Sequence, residues 1–344
     1  MDTTTQYPKA ILGIDVSKSK LDCHLIPDES ATTQSRSRAS SRKRGPSVRS
    51  FRRTVSNTEA GIRKLLEWMK SKGVEHAHVC LEPTSTYHEL ALEELSTDHW
   101  VSVVNARAVR HFADAMELTD KTDRIDAMVL AEFCRARRPV ATRPLTESER
   151  ELRELSRRRT TLVQQAQQEA NRLENVRSKL ARSSIQRTIK MLTKERTKIE
   201  EAIQSIIQQN EELCKRASDY QSVQGVGPVV STTVLAEVPD LPNFDSGRQA
   251  AAYLGIVPRT RQSGSSLDRQ GGITKRGNSR MRAVLYMAAI VGMRVDPVLR
   301  AFAERLRKSG KKPKVIIVAV MRKLVHILYG IAKSGEPRRL TETA

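Results

Sequence analysis

Apolar and polar positions change their period along the chain, and the changes divide it into three stretches. From residue 8 to about 140, short apolar runs alternate with amphipathic ones. Ile11-Leu12-Gly13-Ile14-Asp15-Val16 reads as a buried strand, and Lys20 to Pro27 alternates well enough to be its hairpin partner. A third strand is expected around Val48 to Val55. Thr58 is placed to cap a helix with Ile62, Leu65, Leu66 and Met69 on one face, and Gly73 stands where it should stop. Ala77 to Glu82 predicts a buried strand, Tyr87 to Leu95 a helix and Val101 to Val104 a strand. Helical patterns follow over Ala106 to Leu118 and Asp123 to Arg137. Three antiparallel strands followed by alternating helices and strands is the order of an α/β, ribonuclease-H-like (RNase H-like) sheet, expected over residues 1–142.

Between Leu145 and Gln224 there is neither glycine nor proline. One heptad seam runs from Leu152 through Leu155, Leu162 and Leu173 to Val176 and Leu180. A second runs from Ile185 through Leu192 and Ile203 to Leu213, with the break between them at Ala181 to Ser184. This predicts a long antiparallel coiled-coil helical arm over 143–216, in the first instance a spacer or assembly element. A mainly α domain is expected over 217–344. There Gly225-Val226-Gly227-Pro228 joins two apolar helical segments, as in a helix-hairpin-helix, whose glycines let backbone N–H groups approach a phosphate. An ordinary helix turn explains the same local pattern.

Charge changes the picture. Lys and Arg total 60 against 39 Asp and Glu, a formal net charge of +21. Such an excess costs self-repulsion and suits a polyanionic partner, nucleic acid first. Residues 31–47 form a Ser, Arg and Lys segment without an acid, expected to be a basic flexible insertion. Arg259, Arg261, Arg269, Lys275, Arg276, Arg280 and Arg282 surround a Gly/Ser stretch with a single acid among them, and a second basic block spans Arg300 to Lys323. Together with Gly225 and Gly227 they are candidate nucleic-acid contacts. The longest apolar run, Val284 to Met293, is too short to span a bilayer, and the N-terminus lacks the pattern of a signal peptide. Cys23, Cys80, Cys134 and Cys214 form no C-x-x-C pair or metal spacing, so free, mostly buried thiols in a cytoplasmic protein are expected. His76 and His78 alternate near a strand with no evident third ligand, and read as ordinary strand-flanking residues.

Carboxylates carry the first candidate chemistry. Asp15 and Glu82 each end an apolar strand, and Asp123 and Asp126 share one face at the start of a helix. A sheet that sets the first and fourth strands side by side under the last helix would gather all four as hard ligands for Mg²⁺ or Mn²⁺. Singly, each is more often a strand-end or helix-start acid; the set is what favours a metal site. The second candidate is hydroxyl chemistry in Arg261-Gln262-Ser263-Gly264-Ser265-Ser266, where arginines could neutralise charge on a phosphodiester under attack.

These residues fall in a recognisable set: Gly13-Ile14-Asp15-Val16-Ser17-Lys18, Glu82-Pro83-Thr84-Ser85-Thr86-Tyr87, Asp120-Lys121-Thr122-Asp123-Arg124-Ile125-Asp126-Ala127, Gly225-Val226-Gly227-Pro228, Ser263-Gly264-Ser265-Ser266, Gly272-Ile273-Thr274-Lys275-Arg276-Gly277-Asn278 and Arg282-Ala283-Val284-Leu285-Tyr286. In this order they resemble the insertion-sequence 110 transposase family, which includes the Piv-type DNA invertases. The resemblance covers nearly the whole chain. It departs at Ser85, where the family often has glycine, and at the 31–47 insertion. It implies a RuvC-like domain whose acidic tetrad Asp15, Glu82, Asp123 and Asp126 binds Mg²⁺. It also implies Ser263 as the nucleophile of a transient serine–DNA bond. The implied partners are donor and target DNA, a noncoding bridge RNA and further copies of the chain, as dimer or tetramer. The expected function is therefore RNA-guided DNA recombination. Its rivals are a junction nuclease using metal-activated water and a non-catalytic architectural nucleic-acid binder.

Overall fold

A computed structural model describes residues 7–28, 49–117, 123–263, 267–274 and 277–339, with backbone alone for 123–124 and 259–271. The chain divides into two compact units, 1–144 and 145–344.

The first unit is a five-stranded sheet covered on both faces. β1 (Ile11–Val16), β2 (Lys20–Ile26) and β3 (Phe51–Ser56) are followed by α1 (Glu59–Ser71), β4 (His78–Leu81), α2 (Glu89–Leu95) and β5 (Trp100–Val103). α3 (Ala106–Ala115) and α4 (Asp123–Arg137) complete it. The strand order is β3-β2-β1-β4-β5, with β1–β2 and β2–β3 antiparallel and β1–β4 and β4–β5 parallel. β1 reads as unbroken apolar sequence because helices cover both its sides. Leu12, Ile14 and Val16 enter one core with Ile62, Leu65 and Met69 of α1. Ile11 enters a second with Val129, Leu130, Ala131 and Cys134 of α4. Each large apolar side chain so buried contributes about 1.5–3 kcal/mol. Thr58 caps α1 by accepting from Gly61 N–H, and Gly73 follows at φ +76°.

The second unit opens with α5 (Glu147–Leu173), started by a capping box between Thr146 and Glu149. α6 (Lys179–Gln209) returns along it, with Ser178 as N-cap. The turn lies at residues 174–178, ahead of the break expected at Ala181 to Ser184. Apolar Val176 and Leu180 prolong the heptad pattern past the true helix end, and Leu180 is exposed. α7 (Glu211–Gln221), α8 (Pro228–Glu237) and α9 (Gly247–Tyr253) lead to a two-stranded hairpin, β6 (Pro258–Ser263) and β7 (Leu267–Ile273). The sequence shows only a Gly/Ser-rich basic stretch there, because a ladder of backbone hydrogen bonds needs no apolar alternation. α10 (Ser279–Val295), α11 (Pro297–Lys308) and α12 (Pro313–Ser334) close the unit. α12 is long and apolar enough to cross a bilayer, a test that the longest unbroken apolar run failed to anticipate. Here it is a core helix: Ile316, Val320, Leu324, Leu328 and Ile331 are buried against Leu285, Leu299 and Val234. Asp296, wholly buried, caps α11 and is paired with Arg338.

Candidate active site

Side chains alternate between the two faces of a strand. On β1, Leu12, Ile14 and Val16 face α1, so Ile11, Gly13 and Asp15 face α4. On β4, Val79 and Leu81 join the α1 core and Cys80 the α4 core, and the alternation carried one residue further sets Glu82 on the α4 side. Ile14 pairs with Leu81 in the parallel ladder, so Asp15 and Glu82 leave neighbouring strands at one level.

α4 lies against this edge because Gly13 has no side chain. A β-carbon there would stand 2.1 Å from Ala127 O and 2.4 Å from Ala131 N. Further along the helix, Cys134 Sγ lies 3.6 Å from His78 O, at the opposite end of the strands. α4 therefore runs antiparallel to β1, and its first turn, with Asp123 and Asp126, stands over the strand ends that carry Asp15 and Glu82. Asp15, Glu82 and Asp126 are each half-buried. Of Asp123, the backbone places it at the first residue of α4.

A further acid shares the face. Asp22 is paired directly with Asp15 across the β1–β2 ladder and is 8% exposed. It accepts from Thr54 Oγ1 at 2.5 Å and lies 3.0 Å from Lys20 Nζ. Sequence reasoning missed it, since only the register sets it opposite Asp15. Asn57 was also missed. Its side-chain amide donates to Ser17 O at 3.0 Å and to Tyr87 O at 2.9 Å, joining the segments that follow Asp15 and Glu82. Ser85, in the second of these, has φ +51°, a left-handed conformation that favours glycine. Deeper under α4, His78, Cys80 and Cys134 form a cluster that no sequence spacing announced. The Cys80 thiol hydrogen-bonds Cys134 and pulls it down to about 6 against the effect of burial, with His78 and Arg138 adding to the pull; Cys80 itself is pushed up.

The carboxylates of Asp15, Asp22 and Glu82, at neighbouring strand positions on one face, and of Asp126 on the helix above them repel one another, and a hard divalent cation relieves such repulsion with the oxygen ligands it prefers. The donor set fits such an ion.

Ser263, in the second unit, is the last residue of β6 and pairs with Leu267; Ser265, Ser266, Lys275 and Arg276 lie outside the described residues. Arg261 stands opposite Arg269, while Arg259 lies beside the irregular register near the base of the hairpin. Gly277, at φ +139°, packs on Tyr253 O, and Arg282 donates to Leu254 O at 3.2 Å and Gly277 O at 2.9 Å. Arg282 thus spends part of its guanidinium on the fold, whereas Arg280 is exposed. Asn278 caps α10 and donates to buried Glu237, which also binds Arg157. Gly225, at φ +96°, is needed for packing, since a β-carbon there would meet Gly292 Cα at 2.8 Å. Gly227 caps α8 with open space where its β-carbon would be.

A family model described as "Transposase", of the DEDD type in IS110 elements, matches residues 12–180. One described as "Transposase IS116/IS110/IS902 family" matches residues 218–304. The chain belongs to the IS110 family of transposases. It is 29% identical to the pilin gene-inverting protein of Moraxella bovis over 96% of this chain and 97% of that protein. The corresponding protein of Moraxella lacunata matches to the same extent. A putative transposase of Sinorhizobium fredii, y4qE, is 27% identical over 96% of this chain and 90% of its own length. The transposase is thus an enzyme of DNA recombination with a family preference for divalent metal, and the non-catalytic architectural reading falls.

Proposed function

We propose that this transposase cuts and rejoins DNA through a covalent serine–DNA intermediate. Asp15, Glu82, Asp123 and Asp126 would hold Mg²⁺ or Mn²⁺, and Ser263 would be the nucleophile. The observation that carries this reading is the meeting of Asp15, Glu82 and the first turn of α4 at one sheet edge. A bound divalent ion would supply charge neutralisation at a phosphate oxygen. The four carboxylates would hold it, and the half-burial of Asp15, Glu82 and Asp126 would strengthen their field by limiting water. Ser263 Oγ would form a bond to phosphorus as one phosphorus–deoxyribose oxygen bond breaks. The serine proton leaves, and the departing sugar oxygen takes one up. Attack by a second strand's hydroxyl reverses the step, so bond energy is conserved and no nucleotide triphosphate is consumed.

Arginines at opposing positions of β6 and β7 are a pairing that sheets disfavour, and a phosphodiester would offset the repulsion. Arg259, Arg261, Arg269, Lys275, Arg276 and Arg280 would grip backbone phosphates, with Gly227 N–H at the start of α8 in a helix-hairpin-helix role. Residues 1–142 would be the RuvC-like catalytic domain and α5–α6 the core of a coiled-coil arm over 143–216 that assembles dimers or tetramers. Residues 217–344 would be the serine-bearing domain. Sequence would be read by a bridge RNA pairing with donor and target, at the nucleoid in the cytoplasm.

The junction-nuclease rival makes Ser263 incidental. The relatives named as gene-inverting proteins favour recombination, because inversion requires rejoining as well as cutting. The deciding experiment traps the protein on nicked substrate. Wild type should yield a covalent adduct that Ser263→Ala lacks, and Asp126→Asn should bind DNA without cutting. Normal cleavage by Ser263→Ala with no adduct in either protein sinks the reading. Sequencing RNA that co-purifies with the chain tests the guide.

A further inference from the structure

Beneath α4, at the end of the sheet opposite the acids, three metal-ligand side chains meet in the dry interior. His78 and Cys80 alternate on β4 and both face α4, from which Cys134 descends. All three are fully buried, and one ligand atom from each lies within 4.8 Å of the others. Tyr7 stacks on the His78 ring at 5.6 Å and Trp100 meets its edge at 6.1 Å, walling off that side from water.

The hydrogen bonds around His78 set its tautomer. Its Nε2 lies 2.9 Å from Ser102 Oγ, and Ser102 Oγ donates to Pro139 O at 3.0 Å. The serine has one proton, and a carbonyl can only accept it. Ser102 therefore receives the Nε2–H of His78, and the neutral ring keeps its free lone pair on Nδ1. That nitrogen is buried with no hydrogen-bond partner. A buried imidazole held from behind by a hydroxyl–carbonyl relay is how ligating histidines are oriented, and the His78 ring offers a nitrogen to the cluster with the two thiols.

We propose that His78 Nδ1, Cys80 Sγ and Cys134 Sγ form a structural site for one thiophilic metal ion, Zn²⁺ or Cu⁺. Two sulfurs and an imidazole select soft or borderline ions over Mg²⁺. Bonds of about 2.3 Å to sulfur and about 2.0–2.1 Å to nitrogen require ligand atoms roughly 3.5–4 Å apart. The three atoms reach that by small side-chain adjustments. Both sulfurs bind as thiolates, so Cys134 gives up its 3.6 Å contact with His78 O and Cys80 releases its proton. The ion would tie β4, which leads into Glu82, to α4, whose first turn holds Asp126. It uses none of the acids, so it stands or fails independently of the proposed catalytic metal.

The test is elemental analysis of the full chain expressed with zinc and copper and washed with EDTA, which strips carboxylate-held ions. One zinc or copper per chain is expected, the element deciding between the two ions. It should persist in Asp15→Asn and vanish in Cys80→Ser/Cys134→Ser. Protein made with Co²⁺ should show near-ultraviolet thiolate-to-cobalt absorption, a signature that carboxylate ligands lack and that needs no variant. The proposal is overturned by metal content unchanged in the double variant. It is equally overturned by wild-type chain that carries no ion and no cobalt band, whether its Cys80 and Cys134 are free thiols or a disulfide.

Discussion

Asp22 stands directly across the β1–β2 ladder from Asp15, so two carboxylates occupy one register position on the α4 face of the sheet. Like charges so placed cost about 0.2–1 kcal/mol. The Lys20 ammonium at 3.0 Å, exposed on one side, returns at most about 1 kcal/mol. Asp22 is therefore close to neutral for folding, and its worth lies in the field it adds beside Asp15. Asp22→Asn keeps an acceptor for Thr54 and removes one charge. The expected result is unchanged or slightly raised stability in urea without metal, together with a several-fold higher Mg²⁺ requirement for strand cleavage. A Mg²⁺ titration unchanged from wild type would show Asp22 to be scaffolding alone.

Gly13 sets the distance between α4 and the strand. The Ala127 carbonyl has no room to yield without lifting the first turn of the helix, so Gly13→Ala forces α4 outward. Overpacking of this kind costs about 1–3 kcal/mol. Cleavage should fall far more than stability, because Asp126 moves away from Asp15 and Glu82. DNA binding, if carried by the second unit as proposed, should survive. Urea denaturation, a cleavage assay and a gel shift on one preparation separate the three effects.

Asn57 spends both N–H groups of its side-chain amide on two backbone carbonyls, Ser17 O and Tyr87 O. Asn57→Asp leaves the size unchanged but turns two donors into acceptors facing carbonyls. A loss of about 1–2 kcal/mol is expected for this partly exposed site. The segments after Asp15 and Glu82 would no longer be held together, so the cation dependence of cleavage should shift to higher concentration before the maximal rate changes. If the maximal rate drops with no change in cation dependence, Asn57 does not position the acids.

The difference between what was legible and what was not follows from the kind of interaction involved. Burial on both faces writes itself into sequence as an apolar run, which is why β1 and β4, and with them Asp15 and Glu82, could be placed. Capping chemistry is equally local, and Thr58 caps α1 as expected. Close approach is not local: Gly13 looks like any strand glycine until Ala127 and Ala131 are set on it. Asp22 needed the ladder register, and the cluster of His78, Cys80 and Cys134 needed α4 to cross β4. The β6–β7 hairpin has no apolar face to betray it. The sequence sets the α5–α6 turn too late because Val176, in the turn, and Leu180, already in α6, keep the heptad spacing of α5.

In the second unit, Glu237 fastens the hairpin-bearing region to the arm, and its ionisation makes that fastening depend on pH. Its carboxylate accepts from Arg157 Nε at 2.9 Å, Arg157 Nη2 at 3.1 Å and Asn278 Nδ2 at 2.6 Å. Burial alone would raise its pKa, but Arg157, Asn278 and Arg280 together hold it below the usual glutamate range. The unfolded chain then binds a proton more readily than the folded one, so stability rises with pH across this titration. The contribution is complete above the usual glutamate value of about 4.3 and is lost as pH falls through the lower folded value. Glu237→Gln removes the charged partner of Arg157, whose side chain is 38% exposed and so stays partly solvated, and should cost about 1–2 kcal/mol at neutral pH. It should also flatten the acid limb of the stability curve. Trp68 and Trp100, the two tryptophans, both lie in the first unit, so their fluorescence reports its unfolding, while helical ellipticity follows mainly the second. Urea unfolding between about pH 3 and 7 should show the slope lost by ellipticity and kept by fluorescence. Equal slopes in the variant and wild type by ellipticity would mean that Glu237 keeps its proton affinity on folding.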